Sequence, residues 1–202
     1  VIGTLATKAG QMGIETYMLT PDKDYGQLIS DNVMMYRPRH GGGYDIIGSK
    51  EIEEKYGVKT PEQVKDLLAL MGDKADNFPG CPGVGEKTAA KLINEFGSVE
   101  ELINRSSEVK GKLREKIEAA VDDIKMSKFL ATIRTDVPVD LNLDELKVVE
   151  PNPDKLTKLF NELEFKSLLD KFLNKGEKKQ KSPNAQLSLF EEYTPDGQDL
   201  FE

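Results

Sequence analysis

Two pairs of aspartates and one glycine-rich turn carry the chemistry this sequence offers. Asp73 and Asp76 lie in the run GDKADN, just past an apolar helical pattern that stops at Gly72. Carboxylates there face the negative end of a helix dipole, which disfavours them by up to about 1 kcal/mol unless a cation compensates. Asp22 and Asp24 form the second pair, in TPDKDYGQL directly after the apolar run Ile14 to Leu19. Spacing alone leaves both pairs open. Asp73 or Asp76 equally suits a turn cap, and acidic residues in a first helical turn are ordinary helix starters. Carboxylate oxygens of this kind suit a hard divalent cation such as Mg2+.

The third feature is FPGCPGVGEKTAAK, Phe78 to Lys91, in which Pro82, Gly83, Val84 and Gly85 make a tight turn between two helical patterns. Two glycines let the backbone approach a ligand closely. The helix that starts at Glu86 points its free amides and positive dipole end at that turn, which makes an anion site. Lys87, Thr88 and Lys91 add donors and cations on the same stretch. A DNA phosphate suits such a site, because contacts of this kind position a nucleic-acid backbone without reading bases. A helix-turn-helix corner with nothing bound shares the simple PGxG pattern. The longer GVGEKTAAKLI, with small Ala89 and Ala90 for close helix packing, is more specific.

The elements that must hold these residues change character along the chain. An apolar-periodic opening (Val1, Ile2, Leu5, Ala6, Ala9, Met12) predicts a helix, Ile14 to Leu19 a buried strand, and Val33 to Tyr36 a second. Thr20, Pro21 and Asp22 are read as the cap and first turn of a helix running to about Ser30, within which Gly26 is out of place. Gly41 to Gly43 marks a loop, and helices are predicted from Ser49 to Gly57 and from Thr60 to Gly72. Thereafter the pattern is helical: Glu86 to Phe96, Val99 to Asn104, Lys110 to Glu118, Ala120 to Thr132 and Asp154 to Leu163. The expected fold is an α/β part with a partial parallel sheet over residues 1–60, then a helical helix-hairpin-helix subdomain over 61–173. Polar, lysine-rich residues from 174 on are expected to be a flexible linker.

Composition narrows the partners. No window approaches the roughly 18 apolar residues a spanning helix needs, and one cysteine with one histidine offers no soft-ligand cluster, so a cytoplasmic, monomeric protein is expected. A net charge of −8 argues against nucleic-acid binding by bulk attraction. Backbone amides and a few lysines must then replace a broad basic patch.

On GVGEKTAAKLI and GDKADNFPG the sequence resembles the 5′ nuclease family, in the form carried by bacterial DNA polymerase I. The resemblance also takes in FLATIRTDVP, Phe129 to Pro138, whose Arg134 and Asp136 are read as structural. It implies that Asp22, Asp24, Asp73 and Asp76 belong to a two-metal Mg2+ or Mn2+ site, with K+ at the hairpin as a further expectation. It implies an enzyme that removes 5′ flaps and primers in replication and repair, acting near the nucleoid on double-stranded and flap DNA. Family members carry further metal-binding acids upstream of the position matching Val1. Because the chain opens inside an apolar run with no initiator Met or cap, it reads as part of a longer protein that by itself binds DNA weakly and does not cut. Lys110, Lys112, Arg114, Lys116, Lys125 and Lys128 supply positive charge near the hairpin, without individual roles.

In the tail, Gln186, Leu187, Ser188, Leu189 and Phe190 form an apolar island. QLSLF matches the pentapeptide that docks bacterial replication and repair proteins on the sliding clamp, and equally suits an anchor that packs on another domain. The rival to a nuclease is a non-catalytic helix-hairpin-helix module, in which the four aspartates would hold no metal.

Overall fold

The computed structural model describes residues 1–178, with side chains through Phe172. It divides into a compact unit, Val1–Leu141, and a smaller one that begins at Asn142. The island Gln186 to Phe190 lies outside the described residues. Among them, no helix is long and apolar enough to cross a membrane.

In the larger unit, α1 (Ile2–Gln11) precedes a three-stranded sheet of β1 (Thr16–Leu19), β2 (Val33–Pro38) and β3 (Tyr44–Ile47), in that order. β1 and β2 are parallel, as expected. β3 pairs antiparallel with β2, so the sheet is mixed, and the expected partial parallel sheet is corrected at this edge. The glycine loop is the tip of a hairpin. Four residues with a charged second position hid the strand from a reading by periodicity. Asp45 is tolerated because Arg37 and Arg39 both bond to it, which holds its carboxyl below the usual range. One sheet face buries Met18, Val33, Met35 and Ile47. Tyr17, Leu19, Tyr44 and Ile46 are exposed, with the Tyr36 ring stacked on Tyr44.

The helix expected after Pro21 is a 3-10 turn, Lys23–Leu28, capped by Asp22 rather than by Thr20. Gly26 fits because it packs on the Ile52 side chain, where a Cβ would meet a methyl at 3.0 Å. α2 (Ser49–Tyr56) starts with the Glu51 carboxylate accepting from the Gly48 amide, 2.8 Å. A short 3-10 turn, Pro61–Gln63, then leads into α3 (Val64–Met71).

α3 is the hub of the unit. Val64, Leu67, Ala69 and Leu70 are all fully buried, and the helix packs against α7, α4, α5 and both 3-10 turns. Its surroundings are α4 (Glu86–Phe96), α5 (Val99–Asn104), α6 (Lys112–Ala119) and α7 (Val121–Ala131). Each buried Leu or Ile contributes about 1.5–3 kcal/mol against exposure. The one charge in this layer, Asp66, accepts from the Val99 amide (2.9 Å) and from Lys128 Nζ (2.7 Å), tying α3 to α5 and α7. Burial opposes the Lys128 charge, but hydrogen bonds to Asp66 and Glu100 outweigh it and raise the ammonium's pKa.

In the smaller unit, α8 (Pro153–Glu162) is capped by Asn152, and Phe160 meets Phe165 and Phe172 of the following turn and α9 (Lys166–Lys178). α9 continues past 174 into the lysine-rich stretch expected to be linker.

Candidate functional site

Asp22 and Asp24 leave the end of β1 on the 3-10 turn, where Asp22 Oδ1 accepts from the Asp24 amide at 3.0 Å. That turn packs on α3, and α3 ends where Asp73 stands. Asp73 sits in a closed loop. Its backbone exchanges two 3.0 Å bonds with Phe78, and its Oδ1 accepts from the amides of Ala75 (2.7 Å) and Asp76 (3.4 Å). The loop ends meet at Gly72 and Gly80, φ 70° and 60°, where a Cβ on Gly80 would overlap the Gly72 backbone. Only glycine permits both the left-handed conformation and this approach. The Gly80 amide then donates to the buried Ser127 Oγ at 2.9 Å, fixing the loop to α7.

Packing thus brings together aspartates from distant parts of the chain, and a residue the sequence reading passed over bridges them. Lys23 Nζ donates to Asp73 Oδ2 and lies 3.6 Å from Asp24 Oδ1. Lys23 and two backbone amides hold the Asp73 carboxyl below its usual range, and Asp73 raises the Lys23 ammonium. Asp24 shifts the other way. Burial raises its pKa, Lys23 opposes this, and the charges of Asp22, Asp76 and Asp73 add to the rise. Its Oδ1 is buried with no hydrogen-bond partner. Its side chain is 16% exposed, whereas Asp22 and Asp76 are exposed residues.

The donor set fits a hard divalent cation in kind: all carboxylate oxygen, with one buried oxygen that accepts no hydrogen bond. Among the described residues, no three carboxylates, cysteines or histidines converge on one ion position. Magnesium can do with one or two carboxylates, because it keeps several waters. Asp24 and Asp73 are the two carboxylates that converge, both on the Lys23 ammonium.

The hairpin follows immediately. The Cys81 amide donates to Leu70 O (2.8 Å) and the Val84 amide to Cys81 O (3.0 Å), which forms the turn. Val84, read as part of the DNA-holding turn, buries its side chain and donates its amide within the turn, so its side chain anchors the hairpin. Gly83 and Gly85 are exposed, and Gly85 is the N-cap of α4 with no side-chain cap, which leaves the first-turn amides without one. Lys87 and Lys91 are exposed and Thr88 is half-buried, while Ala89 is fully buried. The other basic residues separate by their partners. Arg114 pairs with Glu118 (2.7 Å) and Lys128 with Asp66 and Glu100, whereas Lys110, Lys112, Lys116 and Lys125 are exposed. Arg134 and Asp136 pair with each other on the surface.

Residues 1–57 match the model of the 5′-3′ exonuclease N-terminal resolvase-like domain, and residues 59–154 that of the 5′-3′ exonuclease C-terminal SAM fold. DNA polymerase I of Bacillus caldotenax is 42% identical over 191 residues, 94% of this chain and 22% of that protein. The thermostable DNA polymerase I of Thermus aquaticus is 45% identical over 172 residues, 85% of this chain and 20% of that one. The chain therefore spans about a fifth of the length of these curated relatives. A bacteriophage T5 flap endonuclease solved with DNA and metal ions shares the fold, with TM-score 0.57 and 23% identity over 64% of this chain and 47% of that one.

Proposed function

The chain belongs to the 5′-3′ exonuclease family, and from that premise we propose that it is the 5′ nuclease region of a bacterial DNA polymerase I, serving metal-dependent removal of 5′ flaps and primers from DNA. The observation that carries the reading is the corner where Lys23 links Asp24 to Asp73, one loop before a hairpin whose first-turn amides lack a side-chain cap. Asp24 and Asp73 would hold Mg2+ or Mn2+, with Asp22 and Asp76 supplying charge around them. A divalent cation bound there activates water at neutral pH and stabilises the departing oxygen of a phosphodiester. The protein's own part is positional. Gly83, Gly85, Lys87, Thr88 and Lys91 take hold of the duplex backbone, in keeping with the DNA held by the T5 relative. K+ at the turn belongs to the same reading, as does action near the nucleoid. The tail peptide Gln186, Leu187, Leu189 and Phe190 is proposed to meet the sliding clamp, tested by a clamp pull-down with Leu189→Ala plus Phe190→Ala.

A second reading, a DNA-binding module without catalysis, draws on Lys23 already compensating two of the carboxylates, with no third converging on them among the described residues. Calorimetric titration with Mn2+ separates the two. The nuclease reading expects saturable binding that Asp73→Asn weakens by at least about tenfold; heat no greater than dilution for the unaltered chain would leave only the module. Cleavage of a labelled flap duplex with Mg2+ measures how much catalysis this chain carries by itself.

A further inference from the structure

Asp73 has one oxygen to offer a cation. Its Oδ1 is taken up by the loop, where it accepts from the amides of Ala75 and Asp76. Oδ2 is the oxygen left over, and Lys23 Nζ donates to it. The same ammonium lies 3.6 Å from Asp24 Oδ1, the buried oxygen that accepts no hydrogen bond. Lys23 therefore stands on the two oxygens through which this pair would reach a divalent ion. An ion on both oxygens and the ammonium on both exclude one another.

The two partners differ in how firmly they are held. Asp73 is fixed by two amides and by the backbone bonds of its loop, and its side chain is 9% exposed. The Lys23 side chain, on the 3-10 turn, is 40% exposed. A lysine has a flexible stem and a strongly hydrated head, so this one can leave the carboxylates for water while they stay in place. At equal distance a divalent ion attracts each carboxylate twice as strongly as an ammonium does. Such an ion can take the position, but only against the resistance of the lysine.

We propose that Lys23 is a built-in counter-ion that occupies the corner until a divalent cation displaces it, and so sets how tightly this chain binds metal. The proposal rests on the metal reading above and adds a competitor to it. In the metal-free chain the ammonium holds Asp24 and Asp73 together. When metal arrives, the same ammonium opposes it by holding Asp73 Oδ2. Lys23 is thus a positioning residue that acts on the ion through the carboxylates.

Calorimetric titration with Mn2+ tests it on Lys23→Gln, Lys23→Arg and Lys74→Gln, with melting temperatures measured in a chelator and at one fixed Mn2+ concentration. Lys74 is exposed beside Asp73, so its variant makes the same change of charge without vacating Asp73 Oδ2, which Lys23 holds. Lys23→Gln is expected to bind Mn2+ about tenfold tighter or more, since the competitor and its repulsion are both gone. Without metal it should melt below the parent chain. Mn2+ should then raise its melting temperature further than the parent's, because stabilisation by a ligand grows with affinity. Lys23→Arg keeps the competing charge and should bind no tighter than the parent, and Lys74→Gln should tighten binding less than about threefold. Saturable binding by the parent that Lys23→Gln leaves unchanged or weakens refutes the exchange while the metal reading stands, as does equal tightening by Lys74→Gln. A deficit in melting temperature that Mn2+ does not narrow makes Lys23 a structural bridge only and also refutes it. No saturable heat from either the parent or Lys23→Gln overturns the metal reading and this inference together.

Discussion

The carboxylate corner and the hairpin are joined at Gly80 and built on opposite principles. The hairpin exposes dipoles that the backbone already possesses. Its residues are consecutive, and its side chains either face solvent (Lys87, Lys91) or anchor the turn (Val84). The corner concentrates charge from two segments, and one of its members is held at a cost. Asp24 is largely buried with an oxygen that accepts no hydrogen bond, while Asp73, bonded by Lys23 and two amides, is stabilised. A backbone site of this kind needs little compensation, whereas a site made of like charges stores electrostatic strain that a cation can relieve.

The most direct way to break the comparison is at the joint. Gly80→Ala forces a left-handed alanine into the Gly72 backbone, so it should destabilise the unit by about 3 kcal/mol or more. Urea unfolding measures this. A midpoint unchanged from the parent chain would show that the loop yields and that the two regions are not rigidly linked.

Asp24→Asn and Asp73→Asn sharpen the contrast within the corner, because their stability effects without metal should have opposite signs. Asp24 has a folded pKa raised above its unfolded value, so the folded state loses stability as pH rises through the folded pKa. Asp24→Asn should therefore melt about 2 °C or more higher than the parent at neutral pH, with the gain shrinking as pH falls through the carboxylate range. Asp73 has a folded pKa below its unfolded value, so its contribution is present above the unfolded pKa and is lost as pH falls through the folded one. Asp73→Asn should melt lower at neutral pH and converge with the parent in acid. Melting curves at several pH values decide, and shifts of the same sign in both variants would show that the corner is not divided in this way.

The smallest effect belongs to the hairpin side chains. Lys87→Gln should weaken duplex binding about two- to threefold and lower the salt slope by about one, with Mn2+ affinity unchanged. Coupled loss of both affinities would mean that the two regions act as a single site.

Local chemistry is what the sequence determined. α4 at Glu86–Phe96 and α5 at Val99–Asn104 fall where periodicity, Gly97 and the Ser98 cap place them, since starts and stops of helices depend on a few neighbouring residues. Both aspartate pairs and the hairpin were legible for the same reason. Tertiary structure decided the rest. Lys23 reaches Asp73 across a separation of 50 residues, and Gly80 reaches Ser127 across 47; no local pattern encodes either. The antiparallel β3 escaped notice because four residues leave little alternation to read, and Val84 turned inward because packing on the core outweighed its place in an exposed motif. Six basic residues looked equivalent along the chain, and only their partners in space distinguish Lys128 and Arg114 from the rest. Charge is visible in a sequence, but what neutralises it depends on distance, which folding alone supplies.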